Sequence, residues 1–70
     1  MKLNINGESK VFKEIREGSN LLKVIEQLGY NPKLIVVEFN GEILNTKLWV
    51  TQPVKEDDNI EIVTIVGGGS

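Results

Sequence analysis

Seventy residues make one small domain, near the lower limit for a core that folds alone and without room for a deep, multi-walled pocket. The chain has no Cys and no His, which removes disulfides, thiol nucleophiles, imidazole bases, most zinc sites and every Ser/His/Asp arrangement, so a self-contained enzyme is disfavoured. Eight basic and ten acidic residues are interspersed for a net charge of −2, and the cationic run from Lys10 to Arg16 is diluted by Glu14, so nothing marks a nucleic-acid partner.

The apolar runs fall far short of a membrane span, and no signal-like apolar core follows Lys2; the expected compartment is the cytosol. Leu3 and Ile5 alternate with Lys2, Asn4 and Asn6 in the period of a half-buried strand. Asn6-Gly7 then predicts a type I′ hairpin turn, because both central positions of that turn need positive φ. The return strand is expected over 9–15, with Val11 and Ile15 on one face and Phe12 as a rim contact of the core.

Ser19 and Asn20 are both candidate N-caps for a helix starting at Leu21. Leu21, Val24, Ile25 and Leu28 fall at i, i+3, i+4 and i+7, one apolar stripe for the core, and Gly29 with Pro32 ends the helix. The β-branched run over 34–39 reads as a mostly buried strand, and Asn40-Gly41 repeats the hairpin signal before a short strand over 42–44. Thr46 is a candidate cap for one helical turn. Trp49 is expected to plug the open end of the core beside Leu48, since so large a ring is seldom left without partners.

Glu56-Asp57-Asp58 reads as a solvated turn rather than a metal site, because a hard cation needs ligands spaced around it. The turn runs on to Asn59 and feeds the last strand, which is expected to begin at Ile60. The order strand, strand, helix, strand, strand, short turn, strand gives an α+β class with one helix laid across one face of a mixed five-stranded sheet. If the first and last strands lie parallel, the intervening chain is the long crossover that such pairing requires, which is the β-grasp or ubiquitin-like plan. Ile60 and Ile62 would then face the helix, and Val63 and Ile65 would emerge on the open face as a docking patch.

Residues 1–66 are assigned to the domain and 67–70 to a flexible tail, Gly67-Gly68-Gly69-Ser70. Glycine loses more backbone entropy on ordering than any other residue, so such a tail has little reason to serve the fold. It is either a side-chain-free arm that threads into another protein's active site or a linker remnant of the same composition.

Several residues together resemble the sulfur carrier proteins of thiamin thiazole biosynthesis, the ThiS family of the ubiquitin-like superfamily. They are Asn6 in the opening strand, Glu26-Gln27-Leu28-Gly29, Val36-Val37-Glu38 leading to Asn40 and Ile43, Trp49, and above all the stretch from Asp58 through Ile60-Glu61-Ile62-Val63 to Val66-Gly67-Gly68-Gly69. The resemblance implies a carrier that binds no cofactor and is acted on by partners. A ubiquitin-activating-like adenylyltransferase (ThiF-like) would adenylate Gly69 with ATP. A cysteine desulfurase system would supply the sulfur of a C-terminal thiocarboxylate, and a thiazole synthase (ThiG-like) would receive it. It further implies that Gly67 and Gly68 thread through narrow channels, that Val63, Ile65 and Val66 dock, and that Ser70 must be removed before Gly69 can react. Alternatives are a ubiquitin-like protein modifier, a molybdopterin-type sulfur carrier, and a non-covalent β-grasp binding module with a linker-derived tail.

Overall fold

Two Asn-Gly pairs create two hairpins. In the computed structural model, which describes residues 1–65, β1 (Lys2–Ile5) returns as β2 (Glu8–Val11) through Asn6 and Gly7 at φ 51° and 82°. Likewise β3 (Ile35–Phe39) returns as β4 (Glu42–Ile43) through Asn40 and Gly41 at φ 50° and 91°. Positive φ at both central positions gives the turn the twist of its strands, and Asn and Gly tolerate it best.

Between the hairpins lies α1 (Leu21–Leu28). Of the two candidate caps, Asn20 is the one used: its Oδ1 accepts from Lys23 N–H at 2.9 Å, while Ser19 Oγ instead accepts from Arg16 N–H. Gly29, at φ 84°, ends the helix in the left-handed region with its N–H on the Glu26 carbonyl at 3.0 Å. Leu21, Val24 and Ile25 are buried and Leu28 is half-buried, as the spacing requires.

The remaining strand, β5 (Asn59–Thr64), enters the middle of the five-stranded sheet, in the order β2-β1-β5-β3-β4. It runs parallel to β1 and antiparallel to β3. This is the β-grasp plan expected from the sequence. Leu3, Ile5, Val37, Ile60 and Ile62 from the sheet and the helix stripe form one core. Trp49, 1% exposed, closes it, and its Nε1–H donates to the Leu44 carbonyl at 2.9 Å, so the indole is buried without an unmet donor.

Four local expectations change. β2 stops at Val11, which is 71% exposed rather than in the core; the chain leaves the sheet there, and Ile15 reaches the core from the following loop while Phe12 takes the rim position. Leu34 belongs to a 3₁₀ turn (Pro32–Leu34) and is half exposed, because Pro32 starts a turn that ends only at Ile35. A second 3₁₀ turn (Thr46–Leu48) is capped by Asn45, not Thr46, and leaves Leu48 exposed beside the buried Trp49. Within the acidic turn Asp58 is buried: it accepts from Asn40 Nδ2 at 3.1 Å and from Lys55 N–H at 2.8 Å, while Asp57 takes the left-handed position at φ 69°.

Both turn asparagines also reach β5. Asn40 Oδ1 accepts from Asn59 N–H at 2.8 Å, and Asn6 Oδ1 accepts from Ile62 N–H at 2.6 Å. The second bond satisfies a part-buried donor just where β1 has turned away. Asn6→Gly keeps the left-handed turn but orphans that N–H, and should cost about 1–3 kcal/mol in denaturant unfolding. Asn6→Asp keeps the acceptor and should lose less; equal loss in the two variants would mean that only the turn matters.

Candidate functional site

Side chains alternate across a strand, so burial of Ile60 and Ile62 commits Glu61, Val63 and Ile65 to the face of the sheet opposite the helix. Val63 and Ile65 are 58% and 50% exposed there, the placement expected of them from the sequence. Val66, Gly67, Gly68, Gly69 and Ser70, the other residues assigned to the site, lie outside the described residues.

The register enlarges the site beyond what the sequence suggested. Residues opposite each other in an antiparallel pair share a face, and Val36 lies opposite Val63. One step further Ile65 N–H donates to the Leu34 carbonyl at 2.6 Å, which sets the half-exposed Leu34 beside Ile65. Glu38 lies opposite Glu61 on one side and Ile43 on the other, so Ile43, 71% exposed, joins the same face. The result is an apolar patch of Leu34, Val36, Val63 and Ile65 at the end of the sheet where β5 finishes, bordered by two carboxylates and then Ile43. Leu34, Val36 and Ile43 went unassigned because each looks like an ordinary strand residue until its partner is known. For Ile43 the Asn40-Gly41 turn carried a signal, since a two-residue loop fixes the register of β3 and β4; Leu34 and Val36 meet β5 outside any hairpin, and nothing local marked them.

Like charges directly opposite weaken a sheet, so Glu38 and Glu61 bring nothing to the fold by standing together. They give the border of the patch a negative field suited to a basic partner. Elsewhere the structure offers little to a small ligand. A cleft of about 200 Å³ between Phe39, Asn40, residues 52–55 and Asp58 is open and below the size of ordinary ligand sites. Its polar groups Asn40 and Asp58 are already bonded to each other. Among the described residues no group of acidic side chains could hold a metal ion, and no helix is long and apolar enough to cross a membrane.

Among the described residues the site is thus an exposed apolar face bordered by two carboxylates, on the strand that Val66-Gly67-Gly68-Gly69 follows in sequence. A segment of the thiazole synthase of Paramagnetospirillum magneticum is 37% identical over the whole of this chain, which spans only 21% of that protein's length. The sulfur carrier protein TtuB of Thermus thermophilus is 30% identical over 80% of this chain and 80% of its own. The crystal structure of the thiamine biosynthesis protein ThiS from Geobacter metallireducens superposes with a TM-score of 0.82 at 28% identity, covering 99% of this chain and 100% of that one. The model of the ThiS family matches residues 3–69, and the chain belongs to that family.

Proposed function

We propose that this protein is a non-enzymatic sulfur carrier for assembly of the thiazole ring of thiamin, with the carboxyl carbon of Gly69 as its working atom. The observation that carries the reading is positional. β5 occupies the centre of the sheet and ends beside an exposed apolar patch, and the next residues in sequence are Val66-Gly67-Gly68-Gly69. A chain without Cys or His can carry sulfur on its main-chain terminus and leave every catalyst to its partners.

A carboxylate is a poor electrophile, so the first partner is a ubiquitin-activating-like adenylyltransferase: the Gly69 carboxylate attacks the α-phosphate of ATP and pyrophosphate leaves. The terminal sulfur of a desulfurase-derived persulfide then attacks the acyl carbon and AMP leaves. A thiol cleaves the resulting S–S bond, so that a disulfide departs and the thiocarboxylate remains. Thiazole synthase is the acceptor. Its assignment is supported by the similarity of this entire chain to one segment of a protein named thiazole synthase, since joining two parts in one chain raises their effective concentration to about the millimolar range.

Val63, Ile65 and Val66 dock on the partners, with Leu34, Val36 and Ile43 extending the surface. Gly67 and Gly68 pass a channel too narrow for a Cβ. Ser70 blocks the reacting carboxylate and is removed by a peptidase before activation.

ATP–pyrophosphate exchange with the cognate adenylyltransferase tests both points. The chain ending at Gly69 should support exchange and the chain ending at Ser70 should not; equal rates would refute the assignment of Gly69. Gly68→Val in the shorter chain should melt normally yet lose about a hundredfold in kcat/KM, the scale of a misplacement of about 1 Å at a reacting atom. Unimpaired exchange by that variant would remove the threading role from Gly68.

A further inference from the structure

β5 outruns the strand beside it. β1 pairs with it only where Asn4 meets Asn59 and Ile5 meets Ile60, then leaves through Asn6-Gly7. The Asn6 side chain takes the next donor, Ile62 N–H. On the other side β3 accompanies β5 to its end, with Ile35 opposite Thr64. Main-chain bonding alternates along an antiparallel pair, so the bonds Ile65 N–H to Leu34 O and Asn40 N–H to Asn59 O fix the odd-numbered residues of β5 as those that face β3. Thr64 therefore turns its N–H and C=O the other way, into the space β1 has vacated. Among the described residues neither group has a hydrogen-bond partner.

The outer edges of the sheet are guarded in the usual ways. β2 carries Glu8 and Lys10, and β4 is only two residues long. The edge at Ile62-Val63-Thr64-Ile65 has no charge and no Pro. It is also the last stretch before the glycines, which have no side chains by which a partner could hold them in register.

We propose that this edge is a strand-addition site. An extended segment of the adenylating partner lies beside β5 and exchanges main-chain hydrogen bonds with Thr64. That segment is apolar where it passes Val63 and Ile65, and basic where it reaches Glu61 and Glu38. Pairing at Thr64 meters the distance to the reacting carbon: Gly69 is five residues on, about 17 Å in extended chain. The inference rests on the carrier reading, because the tail is what gives the partner reason to bind here.

The test uses the chain ending at Gly69 and its adenylyltransferase, without ATP for binding and with ATP for exchange. The Thr64 amide should exchange rapidly with deuterium in the free protein and at least about tenfold more slowly in the complex, as the gain of one hydrogen bond requires. Thr64→Pro deletes only the outward N–H and keeps every bond to β3, so it should melt like the unmodified protein while KM for the carrier rises roughly tenfold. Thr64→Val, which keeps the N–H, should leave KM unchanged. An unprotected Thr64 amide in the complex, or equal KM for the Pro and Val variants, would overturn the pairing while adenylation of the unmodified chain left the carrier reading standing. Protection without adenylation would leave the pairing standing and sink the carrier reading. Protection that appears in the free protein as its concentration rises would make the occupant a second copy and overturn the proposal.

Discussion

Main-chain pairing of β5 with β1 on one side and β3 on the other joins the two hairpins into one sheet, and the rest of the molecule depends on it. Among the described residues β5 is the strand between β1 and β3, so the two hairpins meet in one sheet only through it. Side-chain hydrogen bonds from the two turns reinforce this join. Asn40 holds Asn59 at the entry of the strand, and Asn6 holds Ile62 where β1 turns away. The same strand is followed in sequence by Val66-Gly67-Gly68-Gly69, the residues on which the carrier proposal rests.

One consequence is a division between the two faces. The helix side takes nearly all the aliphatic burial, including Leu3, Val37 and Ile60, and is closed by Trp49. Among the described residues nothing covers the other face of the sheet, which carries an apolar patch and a pair of opposed carboxylates. Alternation thus sends Ile62 into the core and leaves Val63 exposed on the other side of the same strand. In the carrier proposal a substitution at Ile62 acts on folding and one at Val63 on docking, although the two are neighbours.

What was legible in the sequence were features decided by near neighbours. The Asn-Gly turns, the stripe of α1 with its Asn20 and Gly29 ends, and the alternation of β5 all rest on contacts within a few residues, and the order of elements suggested the parallel pairing of β1 with β5. The misread positions depend on distant partners. Asn6 reads as a turn residue, and its second role is a bond to Ile62, 56 residues away. Asp58 reads as one of three solvated acids until Asn40 and Lys55 enclose it. The exposure of Val63 and Ile65 on the open face was legible from alternation alone, whereas the place of Leu34, Val36 and Ile43 on that face required the register that sets them beside their partner strands.

The carrier proposal places the chemistry on the main-chain carboxyl of Gly69 rather than on a side chain, and its most direct test is the mass of that end. The protein terminated at Gly69 would be incubated with its adenylyltransferase, ATP, a persulfide-loaded cysteine desulfurase and a thiol, and then weighed intact and as its C-terminal peptide. The carrier account predicts one oxygen of the Gly69 carboxylate replaced by sulfur, with AMP released. An unchanged terminus, or an isopeptide bond from Gly69 to a lysine amine, would contradict it.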